Sequence, residues 1–262
     1  MTPLHERTFL LLGGSGGIGQ AMIRGLLEAG ASVLLASRKV PAADTTFAPG
    51  VIPVQLDLAS STLAQDLVHL SAQHPAIDGL IHCAGHNHFG RLEALSDNVL
   101  DQLLDVNLRS AIVLARHFAP RLRAAGKGSL VFVGSTFGSI GYPGFAAYCA
   151  SKAGLRGFVE ALRREMADTA VQVQYVAPRA TRTSMNPPAV NALNAELGNR
   201  MDAPEEVAAQ ILRCMRTGRA RRHLGWPERF FVFLNSLLPR LVDVSLRKQL
   251  PIIQRYLPEQ GS

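Results

Sequence analysis

The chain has 262 residues, of which 47% are apolar and 18% charged. That length and apolar share suffice for a buried core in one large or two small domains, which excludes disorder over the whole chain, and 23 glycines and 15 prolines without a period exclude a fibrous repeat. The net charge of +7 sits wholly in residues 213–262, which hold ten basic and three acidic side chains, so residues 1–212 are neutral.

The polar start, Met1 to Arg7, lacks the basic region, long apolar stretch and cleavage site of a secretory signal. No run reaches the roughly 18 apolar residues of a membrane span. Three widely spaced cysteines (Cys83, Cys149, Cys214) form neither a disulfide framework nor a zinc ribbon. The expectation is a cytoplasmic protein in a reducing compartment, at most peripheral to the inner face of a membrane.

Residues 8–13 read as a buried strand stopped by glycines, and 17–29 as a helix ending at Gly30. Strands follow at 32–36 and 51–56, the latter with Pro53 pointing to an edge. Helix 61–73 and strand 77–83 come next, then a helical stretch over 97–125 broken near Asn107. Strand 129–134, helix 146–168 and strand 171–177 complete the alternation. Continuous apolar strands alternating with helices predict an α/β fold: a Rossmann-like doubly wound parallel sheet, three-layer αβα, in a single domain over 1–225. Ligands of such sheets bind at the carboxyl ends of the strands.

Gly13-Gly14-Ser15-Gly16-Gly17-Ile18-Gly19 joins the first strand to the first helix. Glycines there let the backbone approach a pyrophosphate, and the helix N-terminus offers it free N–H groups. The second strand ends in Ala36-Ser37-Arg38-Lys39, with no acid to hold a ribose 2′-hydroxyl. Arg38, helped by Ser37 or Lys39, can instead pair with a 2′-phosphate, which favours NADP(H) over NAD(H).

Tyr148 and Lys152 stand i and i+4 on a predicted helix and so share a face. An ammonium beside a phenol lowers the phenol's pKa, and such a tyrosine can exchange a proton with a carbonyl or alcohol oxygen. Ser135 ends the preceding strand, where its hydroxyl can hold the same oxygen.

These motifs together resemble the short-chain dehydrogenase/reductase family over about residues 8–225. Its Gly-xxx-Gly-x-Gly pattern matches Gly13, Gly17 and Gly19, its Tyr-xxx-Lys pair matches Tyr148 and Lys152, and its serine matches Ser135. Asn107 matches the active-site asparagine, Asp57 with Leu58 the acidic segment at the adenine, and Ala84-Gly85 the pair after the fourth strand. Pro178, Thr181 and Thr183 fall in the segment at the nicotinamide. The resemblance implies Tyr148 as general acid/base, Ser135 positioning the carbonyl, Lys152 lowering the tyrosine pKa and binding the nicotinamide ribose, and Asn107 supporting a water relay. It also implies a homodimer or homotetramer.

Leu12, His82-Cys83 and Arg179 depart from the family's threonine, paired asparagines and glycine. Arg179 can face an acidic substrate, a cofactor phosphate or solvent. His82, His86 and His88 read as cleft or loop histidines; no metal site is expected.

Residues 181–203 form a substrate lid, with Met185, Val190, Leu193 and Leu197 apolar at helical spacing and Asn186, Asn191 and Asn194 as polar contacts. Helix 204–217 follows. Residues 226–262 are a basic extension. Phe230, Phe231, Leu234, Leu237, Leu238, Leu241, Val242 and Leu246 make an apolar stripe flanked by Arg229, Arg240, Arg247 and Lys248, with a bend at Pro239. Over 226–257 it can lie on a lipid surface, cover the substrate cleft or join subunits; nucleic acid is not an expected partner. The function expected is a ketoreductase on a small hydrophobic carbonyl or alcohol substrate. The alternatives are a sugar, steroid or polyketide-type alcohol dehydrogenase, and a non-catalytic NADP-binding scaffold or regulator.

Overall fold

The computed structural model describes residues 4–39 and 46–258; residues 1–3 of the polar start and 259–262 of the extension lie outside the described residues. Seven parallel strands form one sheet: β1 (Thr8–Leu12), β2 (Ser32–Ser37), β3 (Val51–Gln55), β4 (Gly79–His82), β5 (Gly128–Val133), β6 (Val171–Ala177) and β7 (Arg221–His223). Their order is β3-β2-β1-β4-β5-β6-β7. The direction of winding reverses between β1 and β4, which opens a crevice at their carboxyl ends.

Alternate residues of the strands feed two cores. Leu10, Leu34, Leu80, Leu130 and Phe132 face α2 (Leu63–Gln73), α4 (Ser110–Ala124) and α5 (Ala146–Glu165), packing with Leu67, Phe118 and Leu155. Phe9, Leu11, Val33, Ile81 and Val131 face α1 (Gly17–Glu28) and α7 (Pro204–Thr217), packing with Met22, Leu26, Ile211 and Met215. A fully buried Leu or Phe contributes about 1.5–3 kcal/mol, so a sheet buried on both faces must be apolar throughout. Every position of β5 is buried. β3 is the edge, and Pro53 is accommodated there opposite Leu35.

Two features go beyond the sequence expectation, the π-turn and β7, while the bend expected at Pro239 is present. The stretch 97–125 is α3 (Asp97–Leu104), a π-turn at Asp105–Arg109 and α4, so the break at Asn107 is one widened helical turn. The strand β7 has no apolar signature, being Arg-Arg-His, and forms by pairing Arg221 with Tyr175 on β6. The bend at Pro239 separates two helices, α8 (Trp226–Leu237) and α9 (Pro239–Tyr256). The lid contains a short helix, α6 (Pro188–Glu196). Its base is closed by a bridge between Thr181 and Asp202.

Candidate active site

One cavity of ≈ 1110 Å³ lies over the carboxyl ends of the strands. Of the residues expected to form the catalytic set and the cofactor cradle, all but Asn107 line it.

At one end is the loop between β1 and α1. Gly13 has φ +84, and a Cβ there would stand 2.6 Å from the Ala84 nitrogen; a Cβ on Gly19 would collide with the Gly13 carbonyl oxygen. These two glycines let the loop fold. A Cβ on Gly16 would meet nothing nearer than 3.5 Å, so that backbone faces open space. Gly16 is the N-cap of α1, which has no side-chain cap and no acid in its first turn. Its first N–H groups therefore point unblocked at the cavity, a cradle that fits a pyrophosphate. At the end of β2, Ser37 donates to the Lys39 carbonyl at 2.7 Å and Arg38 is exposed on the cavity rim. Asp57 accepts from the Ala59 N–H at 3.0 Å and lines the same end with Leu58.

The chemistry-bearing residues lie on the cavity floor. Ser135 follows β5, and its hydroxyl accepts from the Phe137 N–H at 3.1 Å. Tyr148 and Lys152 lie on α5, as their spacing requires. The Lys152 Nζ stands 5.8 Å from the Tyr148 ring centroid and donates to the Val133 carbonyl at 3.3 Å. Burial pushes the Tyr148 phenol up to about 12, against the pull of the Ser135 hydroxyl. Burial also pulls the Lys152 ammonium down to about 8.

Asn107 is fully buried behind the floor. Its Nδ2 donates to the His86 carbonyl and the Ser151 hydroxyl, both at 2.9 Å, and its Oδ1 accepts from the His86 N–H at 2.7 Å. The side chain fastens the loop after β4 to α5. The π-turn is what aims it there.

The departures from the family pattern acquire reasons. His82 is buried on β4, and its Nε2 meets the Ser110 hydroxyl at 2.8 Å, tying the strand to α4. Burial, with Lys152 nearby, holds its imidazole down at about 3. Burial pushes the Cys83 thiol up to about 12, so it is no nucleophile. His86 lines the cavity; His88 does not. Arg179 is only 10% exposed and lies on the cavity lining, with its guanidinium held by two carboxylates. Its guanidinium donates to Asp202 at 2.6 Å and reaches Glu228 of α8 at 3.4 Å. Among the described residues no group of three or more His, Cys, Asp or Glu is placed to hold a metal.

The other end of the cavity is apolar and was only partly legible in the sequence. Phe137, Tyr142 and Phe145 gather around Tyr148, with Phe137 stacked on Tyr142 at 4.9 Å. Met185, Val190 and Leu193 of the lid segment join them, while Leu197 packs behind the wall. Asn186 and Asn194 line the cavity; Asn191 is exposed and does not. Of the three readings left open for the extension, α9 takes that of covering the cleft. Val242, Leu246 and Gln249 form the outer wall, and Ile253 is fully buried against the lid. Tyr142 donates to Gln249 at 3.3 Å, Tyr256 donates to Glu196 at 2.6 Å, and Arg255 pairs with Glu196. The expected single stripe is thus divided: Val242 and Leu246 turn inward, whereas Phe230, Phe231, Leu237, Leu238 and Leu241 are exposed.

Comparisons with known proteins agree with this geometry. Residues 7–194 match the family described as short chain dehydrogenase. The chain is 30% identical over 188 residues to a 3-oxoacyl-[acyl-carrier-protein] reductase of Rickettsia bellii, covering 71% of this chain and 77% of that one. Its fold matches a short chain dehydrogenase from Burkholderia cenocepacia in complex with NADP (TM-score 0.80, 23% identity, 94% of this chain and 99% of that one). It also matches a 3-ketoacyl-(acyl-carrier-protein) reductase from Brucella melitensis complexed with NADH (TM-score 0.75, 19% identity, 84% and 97%).

Proposed function

Because the chain belongs to the short-chain dehydrogenase family, we propose that it is an NADP(H)-dependent ketoreductase acting on a hydrophobic, acyl or lipid-like carbonyl. The observation that carries this reading is one cavity with a phosphate cradle at one end, Ser135, Tyr148 and Lys152 on its floor, and an aromatic and aliphatic pocket at the other. The name of the Rickettsia relative supports an acyl substrate.

The residues divide the work as follows. The cradle Gly13–Gly19, with Ser15, Gly16, Gly17 and Ile18, binds the pyrophosphate. Ala84, Gly85, Pro178, Thr181 and Thr183 flank the nicotinamide side, Lys152 reaches the ribose, and Asp57 with Leu58 holds the adenine. When bound, the nicotinamide supplies or accepts the hydride. The Ser135 hydroxyl donates to the carbonyl oxygen and orients it. Tyr148 gives that oxygen its phenolic proton. The phenol, pushed up to about 12, is protonated at neutral pH, the form that can donate this proton. Asn107 acts as a positioning residue by holding the loop that carries Gly85 and His86. Arg38 and Ser37 select NADP(H) through the 2′-phosphate. Residues 1–225 are the catalytic domain and 226–262 an extension; the enzyme is a cytoplasmic homodimer or homotetramer.

The test is NADPH oxidation at 340 nm against short ketones, 3-oxoacyl thioesters and long-chain ketones. Tyr148→Phe is expected to lower kcat by about 10²–10⁴-fold while NADPH still binds; full activity in that variant overturns the assignment. Binding titrations check the cofactor. NADPH is expected to bind tighter than NADH, and Arg38→Asp to reverse the order; tighter NADH binding by the unaltered protein removes the NADP assignment.

A further inference from the structure

We propose that the α8–α9 corner is a docking surface for an anionic lipid membrane. The proposal concerns a face that takes no part in the reaction. Trp226, Phe230, Phe233 and Leu237 of α8 recur at spacings of four, three and four, which places them on one helix face. All are exposed, Trp226 by 74%. Leu238, Leu241 and Val244 continue the exposed apolar run past the bend at Pro239. α9 is held to the body by its opposite side, through Val242 and Ile253. The outward residues are therefore not needed for packing, and a run of large exposed side chains on consecutive turns marks an interaction surface.

Charge identifies the occupant. Arg229, Arg240, Arg247 and Lys248 rise from the same two helices, and none is in an ion pair among the described residues. Of the helices' two acids, Glu228 is engaged by Arg179, leaving Asp243. Beside the apolar run is a cleft of ≈ 420 Å³ whose lining includes Arg156, Arg221, His223, Arg229, Phe233 and Ser236 and no carboxylate. The Arg156 Nε is buried there without a partner. Glu160 reaches Arg221 from outside at 3.8 Å. Burial first, and then the three arginines, hold the His223 imidazole down at about 4. Guanidinium groups around a small cleft suit a phosphodiester. Phe233 belongs to both cleft and apolar run, so a headgroup in the cleft lays its acyl chains along the exposed aromatic residues. A second copy of this face would bring its own positive charge and be repelled. No helix among the described residues is long and apolar enough to cross a membrane, so the contact is interfacial.

The chain's single tryptophan is Trp226, so the emission of the unaltered full-length protein reports this surface alone. It is titrated with phosphatidylcholine vesicles, with phosphatidylcholine vesicles containing phosphatidylglycerol, and with inorganic phosphate. The expected result is a blue shift with the anionic vesicles only, quenched by bromine on the acyl chains and reversed by salt. Arg229→Glu, Arg240→Glu and Arg247→Glu should each weaken binding at least about fivefold, because each cation near an anionic surface strengthens binding by about that factor. Phe233→Ser should weaken it without altering the thermal midpoint. Emission unchanged by anionic vesicles overturns the proposal. So do equal shifts with neutral vesicles, a response to inorganic phosphate without one to vesicles, or a shift that follows protein concentration alone with a doubling of the particle mass.

Discussion

Lys152 stands at the centre of the floor, and its burial has a measurable signature. Its pKa falls from 10.5 to about 8 on folding. Between those values the unfolded chain binds more protons, so stability rises with pH across that window. Below about pH 8 the buried ammonium costs on the order of 3 kcal/mol. Lys152→Met fills similar space without a charge. It is expected to raise the urea midpoint at pH 7 while abolishing most turnover, and the gain should shrink as pH approaches 10.5. A gain that stays constant over that range would refute the burial argument. Retaining a destabilising cation in the core makes sense only at a working site. His82 presents the opposite case: a buried ring whose hydrogen bond to Ser110 joins β4 to α4. The sequence showed which residues differ at 82 and 179, but not what each touches, because their partners Ser110, Asp202 and Glu228 lie 28, 23 and 49 residues away.

Among the elements, the segment after β6 and helix α8 are coupled through Arg179. Its partners Asp202 (9% exposed) and Glu228 sit at the lid base and in the first turn of α8. Removing one partner of a buried pair leaves the other charge uncompensated. Arg179→Ala is expected to cost about 3 kcal/mol, the low end of the usual range because Glu228 remains partly exposed. Urea denaturation reads the cost, and hydrogen exchange should show the α8 amides exchanging faster. Unchanged exchange in α8 would mean that the ion pairs do not hold the helix. The π-turn between α3 and α4 was visible as a break near Asn107 but not as a π-turn, since one extra residue per turn leaves little trace in apolar spacing.

Across the whole molecule, the cavity is completed by the chain's last helix. Ile253 anchors α9 against the lid, where Phe89, Phe145, Val190 and Leu193 surround it. Ile253→Ala is expected to weaken that docking by roughly 2–5 kcal/mol. The predicted consequence is faster exchange over α9 and a raised KM for hydrophobic carbonyls, with kcat little altered, because the floor residues are untouched. An unchanged KM would remove α9 from the substrate wall. The same helix faces outward with Leu241 and Val244 exposed, so one element serves a cavity on one side and a surface on the other.

The sequence by itself determined the alternating β and α elements, the parallel sheet, the glycine cradle and the Ser135, Tyr148, Lys152 set. These are local: strand apolarity, i,i+4 spacing and loop glycines are written in neighbouring residues. Tertiary structure alone decided the rest. It set which way each side of the α8–α9 stripe turns, that β7 joins the sheet, that Asn107 holds a loop, that Arg179 bridges two acids, and how deeply Tyr148 and Lys152 are buried. Each of these depends on what distant segments bring into contact and how much water they exclude, and a burial cost or an ion pair across many residues leaves no periodic mark along the chain.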